Sequence, residues 1–483
     1  MTDDSLRRAR TTHYDRSAVT PGIAHIGVDN FHRVHQAVYL DELLARRTSQ
    51  HGWGILGVEL LGNDRTAQRA AALNRQDNLY SHTVFHPDGR REWRVVGSIV
   101  DYLHGPDDPG AVVRALSEPD IKVVGLTITE GGYQLDTDTG EFRLGEPETV
   151  ADLARAHPRT TFGVITAALR ARRDAGTGPF TVLSCDNLPD NGAAARAATL
   201  GFAEAVDPRL AHWIERNVTF PSSMVDRIAP AVDNATRQNL NVVTGLPDGA
   251  PVFSEAYCQW VVEDEFCAGR PAWEDVGVEM RADVSAFVTV KQRLLNATHS
   301  MLAYPALLAG HTYIHEAAAD PLLRELARTF MVDDVTPWLR PPQGVSLPSY
   351  ARQVLTRFAN SALPDTVARV AGDGAAKLPA FVQATADALL RWGDVRRLAL
   401  LVATFRDYTN ARNAQGEELA HEPNLHERDW QLLNSTDPLD ALRAGPFQPW
   451  GLAGHTAFVE AYRESVLALN TEGVRGAVRR AVA

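Results

Sequence analysis

The sequence predicts an α/β fold, with a Rossmann-like N-terminal domain followed by a mainly α-helical C-terminal domain. The first observation is an apolar strand pattern at residues 23–27 that ends in glycine and precedes a helical pattern at 31–44. A strand, a glycine turn and a helix open dinucleotide-binding folds. The second observation is that strand patterns recur as far as residue 266, whereas the pattern from Val284 onward is mainly helical.

Each predicted element supports this division. In the N-terminal part, strand patterns lie at 53–61, 95–102, 121–129 and 180–185, residues 251–266 indicate a strand followed by an amphipathic turn, and helical patterns lie at 161–173 and 193–206. In the C-terminal part, helical patterns lie at 284–310, 321–330, 349–371, 379–391 and 394–411. We therefore predict a dinucleotide-binding domain over residues 1–280 and a helical substrate and catalytic domain over residues 281–483.

Composition limits the classes of partner. The 483 residues carry a formal net charge of −12, without a block of like charge, which argues against nucleic acid and membrane surfaces as partners. The three cysteines form no CxxC pair, and no apolar run of eighteen residues occurs. These features predict a cytoplasmic protein.

A lysine lies inside the apolar stripe of the helical pattern that begins at Val284. At about 100° per residue, Lys291, Asn296 and His299 fall within an arc of roughly 140° and could face one cavity. Because desolvating an ammonium group lowers its pKa, Lys291 is a candidate general base. The alternative is a lysine that reaches solvent from the edge of the stripe, beside a hydrogen-bonded core histidine.

The cofactor end of the sequence carries a weaker signal. Of the GxGxxG fingerprint only Gly27 is present, because Asp29 and His32 occupy the other glycine positions. The acid that holds the adenosine ribose belongs at or just after the end of the second strand, where Glu59 and Asp64 are both eligible. Both acids would repel the 2′-phosphate of NADP.

Polar residues follow the strand pattern at 180–185, in the sequence Asp186-Asn187-Leu-Pro-Asp-Asn191-Gly192. Ligands bind at the carboxyl ends of strands in open α/β sheets, so this cluster is well placed for chemistry. Asn191 and Gly192 are interpreted as a turn and cap for the helix at 193–206.

The spacing Lys-x4-Asn-x2-His resembles the signature helix of the mannitol dehydrogenase family, the polyol-specific long-chain dehydrogenases. Further stretches between about residues 22 and 381 are similar to the same family. They lie at 27–36, 127–133, 186–192, 219–230 and 365–379. Four positions depart from the family pattern. Most relatives carry small residues where this chain has Asp29 and Asn30, Asn63 replaces the first member of an acidic pair, and Val288 replaces a glutamate that could pass a proton outward.

The resemblance implies a metal-independent, NAD-dependent oxidation of a secondary alcohol of an open-chain polyol to a ketose by a monomeric enzyme. D-mannitol and D-fructose are the expected pair, and the alternatives are D-arabinitol dehydrogenase and fructuronate or tagaturonate reductase. The implied catalytic residues are Lys291 as base, Asn187 and Asn296 at the reacting oxygen, and His299 holding the substrate or orienting the lysine. The implied substrate-binding residues are Asp226, Arg369 and Lys377, and the implied cofactor-binding residues are Ile26, Gly27, Phe31, Arg33, Asp64 and Thr129.

Two arguments refine this prediction. NAD is favoured over NADP by the acids Asp64 and Glu59 and by the lack of an arginine cluster nearby beyond Arg65. A neutral polyol is favoured because Gly131 stands where the uronate reductases of the family tend to carry lysine. Arg369 and Lys377 weaken the second argument, since they could bind a carboxylate.

Metal-dependent and non-catalytic alternatives follow from other features. His32 and His35 could be ligands at i, i+3, and His311 and His315, interpreted as neighbours on one helix face beside Glu316, superficially suggest a zinc hydrolase. Neither pair has an evident third ligand, so no metal site is predicted. A binding module without activity is the other alternative. Metal analysis and NADH binding distinguish these three classes.

Overall fold

The computed structural model describes residues 13–136, 139–412 and 418–483. Within them, residues 13–85 and 90–285 form one compact unit, and residues 86–89 and 286–483 form a second. The predicted fold class is confirmed: a parallel sheet with helices builds the first unit, and helices dominate the second. Among the described helices, none has the length and apolar character needed to cross a lipid bilayer.

The first unit is organised around a five-stranded parallel sheet. The strands of the whole unit are β1 (Pro21–Ile26), β2 (Gly54–Glu59), β3 (Tyr80–Phe85), β4 (Arg91–Val96), β5 (Ile99–His104), β6 (Val123–Leu126), β7 (Thr181–Ser184), β8 (Ser223–Asp226), β9 (Val252–Glu255), β10 (Gln259–Glu263) and β11 (Glu279–Arg281). The parallel sheet has the order β5-β2-β1-β6-β7. The other strands form two three-stranded sheets, β11-β10-β8 and β4-β3-β9.

The helices of the first unit lie between the strands along the chain, and several of them connect successive strands of the parallel sheet. They are α1 (Asn30–Val34), α2 (Gln36–Arg46), α3 (Asp64–Arg75), α4 (Pro109–Ser117), α5 (Pro147–Leu153), α6 (Thr161–Ala175), α7 (Asn191–Val206), α8 (Pro208–Asn217) and α9 (Asn234–Thr244). Parallel strands need such crossovers, which cover both faces of the sheet.

Alternate residues of the central strands feed two separate cores. Ile23 and Val123 belong to one buried cluster, whereas Ala24 and Val124 belong to the other. This alternation follows from the two-residue period of a strand, and burial on both faces explains the nearly continuous apolar runs in the sequence.

The register aligns the carboxyl ends of four strands. Ile26 at the end of β1 pairs with Val58 of β2 and with Leu126 of β6, and Leu126 pairs with Ser184 of β7. The segments that follow these strands therefore emerge at one edge of the sheet. This is the edge where open α/β sheets bind ligands.

The second unit packs its helices around one central helix. Its helices are α10 (Ser285–Val290), α11 (Ala297–Leu308), α12 (Ile314–Ala319), α13 (Pro321–Thr329), α14 (Leu347–Phe358), α15 (Val367–Ala371), α16 (Gly374–Trp392), α17 (Arg396–Thr409), α18 (Glu427–Leu433) and α19 (Thr456–Val482). Helix α11 contacts α13, α15, α16 and α17. Met301, Leu302 and Tyr304 on it are fully buried, as expected for a helix that is apolar all round.

Three predicted elements are interrupted in the structure. The strand predicted at 95–102 is two strands, because Gly97 donates its N–H to Asp41 and Ser98 donates its hydroxyl to the Ala37 carbonyl between β4 and β5. The helix predicted at 31–44 breaks at His35, between α1 and α2. The helix predicted at 349–371 is α14 and α15, and the segment between them contains Pro364, which disfavours helical geometry in the preceding residue.

The helix predicted at 284–310 is also not uniform. Residues Lys291–Asn296 form a π-helical segment between α10 and α11. Such segments arise where one extra residue enters a turn, and they are frequent at functional sites. The helical spacing of about 100° per residue used in the sequence analysis therefore does not hold between Lys291 and Asn296.

Candidate active site

The turn after β1 requires glycine. Gly27 has a φ of +91°, and a Cβ atom placed on it would lie 2.0 Å from the Thr127 carbonyl oxygen. Thr127 also donates its hydroxyl to the Gly27 carbonyl, which ties the ends of β1 and β6 together. Ile26, the residue before the turn, is fully buried as the last residue of β1. Two of the predicted cofactor-binding positions thus lie at the carboxyl edge of the sheet.

The residues after the turn are committed to local contacts. Asp29 accepts a hydrogen bond of 2.8 Å from the His32 N–H at the start of α1, and burial raises the pKa of its carboxyl group. Phe31 stacks on His35 with ring centroids 5.0 Å apart. Arg33 is buried and donates to Asn30 Oδ1 at 2.8 Å. The cofactor roles of Phe31 and Arg33 stay predictions.

The two acids near the end of β2 have different environments. Glu59 is buried, forms an ion pair with Arg69 and accepts a 3.1 Å hydrogen bond from the Leu61 N–H. Asp64 is exposed as the first residue of α3, which Asn63 caps through the Thr66 N–H. Because the charge of Glu59 is already compensated, Asp64 is the acid available to a ribose.

The sequence-based statement that no arginine cluster accompanies Arg65 is wrong. A cavity of about 560 Å³ in the first unit is lined by Arg33, Arg65, Arg69, Arg75 and Arg237. Three of these belong to α3, where positions 65, 69 and 75 share a face, and Arg237 comes from α9. The three arginines of α3 are close in sequence, whereas Arg237 joins them only through folding, because α9 is distant along the chain. Asp64 alone is therefore left as the argument for NAD.

A second cavity, of about 530 Å³, opens at the carboxyl edge of the parallel sheet. Its walls come from the segments that follow β2, β5 and β6, and Thr129 and Gly131 line it. Thr129 is exposed there, and its cofactor role stays a prediction. The Gly27 turn, the exposed Asp64 and this cavity all follow the carboxyl ends of parallel strands, which is where dinucleotides bind in such folds.

The end of β7 is joined to β8 by one buried amide. The Asn191 side chain donates to the Asp186 carbonyl at 2.9 Å and to the Ser223 carbonyl at 2.8 Å. Asn191 is thus the first residue of α7 and a strand-to-strand bridge, and the interpretation of it as a turn and cap is too narrow. Asn187 is exposed just beyond β7, and Asp226 is buried at the end of β8.

In the second unit, Lys291 begins the π-helical segment and Asn296 ends it. Lys291 is only 9% exposed, which confirms its expected place on a buried face. Asn296 is half-buried. The extra residue of the π turn changes the direction in which side chains point from this stretch of helix.

His299 is surrounded by positive charge. Burial, followed by the charges of Arg369, Arg357, Lys377 and Lys291, holds the pKa of His299 well below its usual value, so its ring is neutral near pH 7. The ring stacks on Phe358 with centroids 3.9 Å apart, and its buried Nε2 atom has no hydrogen-bond partner among the described residues. Four predicted site residues of this unit therefore share one neighbourhood.

The two predicted basic residues already have protein partners. The Arg369 guanidinium forms two hydrogen bonds of 2.6 Å with the Asp365 carboxylate. The Lys377 ammonium donates to the backbone carbonyls of Val370 and Gly372. Both side chains can still act on His299 through their charge, but much of their hydrogen-bonding capacity is used.

Arg357 is a site residue that the sequence analysis missed. It is 5% exposed, and its charge is one of those that lower the pKa of His299. Its signal is present in the sequence, because Arg357 follows Tyr350 and Val354 at helical spacing on an apolar face. A charge on a buried face is the same observation that identified Lys291.

The residues proposed for a zinc helix do not share one. His311 lies in the loop after α11, whereas His315 belongs to α12. Glu316 accepts hydrogen bonds of 2.9 Å from the N–H groups of Thr312 and Tyr313. Throughout the part of the chain that the structure describes, no three His, Cys, Asp or Glu side chains are grouped so that they could hold a metal ion.

A parallel sheet with a glycine turn, followed by a helical unit with a buried lysine, defines a dehydrogenase of the dinucleotide-binding class. Residues 21–275 match the mannitol dehydrogenase Rossmann domain, and residues 283–469 match the mannitol dehydrogenase C-terminal domain. The chain belongs to the mannitol dehydrogenase family, which is a family of oxidoreductases.

Similar proteins support this assignment along most of the chain. Mannitol 2-dehydrogenase of Cereibacter sphaeroides is 44% identical over 87% of this chain and 86% of its own. Polyol:NADP oxidoreductase of Gluconobacter oxydans is 41% identical over 90% of each chain. The structure of Pseudomonas fluorescens mannitol 2-dehydrogenase in ternary complex with NAD and D-mannitol aligns with a TM-score of 0.90 and 37% identity over 99% of each chain.

Proposed function

We propose that this protein oxidises a secondary alcohol of an open-chain polyol to a ketose with NAD as the hydride acceptor, and that D-mannitol and D-fructose are its substrate pair. The observation that carries the proposal is the neighbourhood of His299. A neutral, half-buried imidazole has a buried Nε2 atom without a hydrogen-bond partner among the residues that the structure describes, and Lys291 lies close enough for its charge to act on the ring. A hydroxyl group of a substrate would satisfy that nitrogen.

Oxidation of an alcohol requires a hydride acceptor, a proton acceptor and donors that stabilise the developing alkoxide. The bound nicotinamide supplies hydride acceptance. Lys291, in its neutral form, takes the hydroxyl proton, and the amide groups of Asn187 and Asn296 donate to the oxygen as negative charge develops. Lys291 is 9% exposed and lies among the positively charged side chains that act on His299.

A neutral polyol suits this site better than a uronate. Asp365 already holds the Arg369 guanidinium, and backbone carbonyls hold the Lys377 ammonium, so neither is a free carboxylate clamp. Nothing lies within 4 Å of the Cβ position of Gly131, so a lysine would have room there, but glycine supplies no cation for a carboxylate. Mannitol is favoured because it is the ligand in the Pseudomonas fluorescens complex.

A panel of polyols with NAD, and of ketoses and uronates with NADH, tests the substrate. We expect the highest kcat/KM for D-mannitol and D-fructose, with D-arabinitol next because its hydroxyl pattern is similar at the reacting end. Reduction of fructuronate or tagaturonate with higher kcat/KM than D-fructose would contradict the proposal. Arg369 and Lys377 would then be reassigned to a carboxylate.

NAD is proposed because Asp64 is exposed next to the end of β2, where a carboxylate can accept hydrogen bonds from both ribose hydroxyls and repel a 2′-phosphate. The arginines at the 560 Å³ cavity, Arg65 among them, favour NADP as the second candidate. The name of the Gluconobacter oxydans relative also contains NADP. The balance between Asp64 and Arg65 is therefore the point to test.

The variant Asp64→Ala is expected to lower kcat/KM for NAD by about tenfold and to leave kcat/KM for NADP unchanged or raised, because one charged hydrogen-bonding group contributes about 1.5–3 kcal/mol. Steady-state kinetics with both cofactors measures the ratio. Glu427→Ala is the matched control, since Glu427 is also an exposed acid at the first position of a helix. An equal loss with both cofactors would remove Asp64 from cofactor discrimination.

A further inference from the structure

One residue at the cofactor cavity has a backbone conformation that normally only glycine adopts. Thr129 has φ 61° and ψ 168°. This region costs a residue with a Cβ atom roughly 1–3 kcal/mol, and it persists only where the surroundings impose it. Thr129 follows β6, precedes the turn at Glu130–Tyr133 and lines the 530 Å³ cavity.

The Asp186 carboxylate accepts three hydrogen bonds from this segment. One oxygen accepts the Thr129 N–H at 2.8 Å, and the other accepts the Ile128 N–H at 3.1 Å and the Tyr133 hydroxyl at 2.7 Å. Two consecutive N–H groups therefore point at one buried side chain. The contact joins the segment after β6 to the end of β7.

The Asp186 carboxylate, which we call the anchor of this segment, is itself held in a buried environment. Asp186 is 8% exposed and Tyr133 is 1% exposed, and the Tyr133 hydroxyl also meets Ser184 Oγ at 2.5 Å. Burial, helped by the nearby charge of Asp29, raises the pKa of Asp186 to about 6. Near pH 8 the group is a carboxylate with acceptors only, which matches the three donors around it.

We propose that Asp186 is a positioning residue, which holds Thr129 in this conformation so that residues 128–132 form the cofactor-binding wall of the cavity. The inference rests on the proposed function in assigning the cavity to the cofactor. It adds a role to a residue that touches neither substrate nor cofactor in the chemistry described above. Burying the ionised Asp186 carboxylate is unfavourable, and the carboxylate in turn holds the wall of the cavity in shape.

The first test is titration of Asp186→Asn with NADH. The variant is isosteric but has one acceptor oxygen instead of two, so the Kd for NADH is expected to rise about tenfold, as for loss of a charged hydrogen bond. At saturating NAD, kcat should stay within about threefold, because the chemical step is carried by other groups. An unchanged Kd would overturn the proposal.

Asp41 supplies a matched control. It is also a buried aspartate with a pKa raised by burial to about 6, and it accepts the Gly97 N–H and the Tyr14 hydroxyl away from the cavity. Asp41→Asn should destabilise the protein to a similar degree and leave the Kd for NADH unchanged. A rise in Kd equal to that of Asp186→Asn would show a general loss of structure and would overturn the positioning role.

The second test combines Asp186→Asn with Thr129→Gly. Glycine adopts the Thr129 conformation without strain, so the wall depends less on its anchor. In the Thr129→Gly background, Asp186→Asn is expected to raise the Kd for NADH by no more than about threefold, against about tenfold in the parent. Equal effects in both backgrounds would mean that Asp186 does not act through Thr129.

The third test needs neither activity nor Asp186 variants. If strain is held at Thr129, the thermal midpoint of Thr129→Gly should exceed that of Thr129→Ala by about 2–4 °C. In the cofactor-free protein, the Ile128 and Thr129 amides should exchange slowly with deuterium. Failure of these two results overturns the anchor itself, whereas a slow-exchanging anchor in a protein that binds no NADH would instead refute the proposed function.

Discussion

Replacing Lys291 with alanine is expected to lower kcat by about 10²- to 10⁴-fold, which is the usual contribution of a positioned general base. The Kd for NADH should change by less than about twofold, because the proposed role of Lys291 is to accept the hydroxyl proton and not to bind the cofactor. Stopped-flow measurement of hydride transfer at saturating cofactor and substrate separates this effect from binding.

The size and chemistry of the replacement sharpen this experiment. Lys291→Ala leaves room in a buried site, so small primary amines should restore part of the rate, in proportion to the fraction of amine that is unprotonated. Lys291→Met fills the same space without a basic nitrogen and should not respond to amines. Lys122→Ala is the control lysine, since Lys122 lies over the Trp53 ring in the other unit. Near-normal turnover of Lys291→Met would exclude Lys291 as the base.

The sequence predicted the parallel sheet well because its strands are buried on both faces. An apolar run such as Ile23 to Ile26 has no polar alternation that could be confused with a surface strand, and the glycine after it marks the turn. Element boundaries were less certain. The break at His35 and the gap between β4 and β5 depend on hydrogen bonds to Gln259 and Asp41, which lie elsewhere in the fold.

The π-helical segment at Lys291–Asn296 shows a different limit. Its apolar residues recur at ordinary helical spacing, so no pattern in the sequence indicates the extra residue in the turn. The burial of Lys291 was still predicted, because a charge on an apolar face is a local signal, whereas the catalytic roles of Lys291 and His299 stay predictions. Arg357 carries the same local signal on α14.

Contacts between side chains of different elements could not be predicted from the sequence. The pairing of Glu59 with Arg69 decides which acid can meet a ribose, and the arginines of α3 and α9 form a cluster only after folding. The anchoring of Thr129 by Asp186 likewise joins residues that follow different strands. In each case the residue types were visible, whereas their partners depend on how the strands and helices pack together in the folded unit.

Gly27→Ala is expected to reduce kcat/KM for NAD by about 100-fold, the effect of a displacement of about 1 Å in a binding site. The new Cβ would lie 2.0 Å from the Thr127 carbonyl oxygen, and this oxygen is backbone, so the ends of β1 and β6 must move apart. Glycine adopts the φ of +91° without strain, whereas alanine at this position is strained. NADH titration and steady-state kinetics at several NAD concentrations measure the loss.

The matched control separates strain from contact. Gly176, at the end of α6, also has a positive φ, +70°, but nothing lies within 4 Å of its Cβ position. Gly176→Ala should therefore lower the free energy of unfolding by about 1 kcal/mol and leave the Kd for NADH unchanged. Gly27→Ala should lose a further 1–3 kcal/mol or so through overpacking. If both variants bind NADH equally well, the close approach of Gly27 to Thr127 does not shape the cofactor site, and the turn after β1 is structural only.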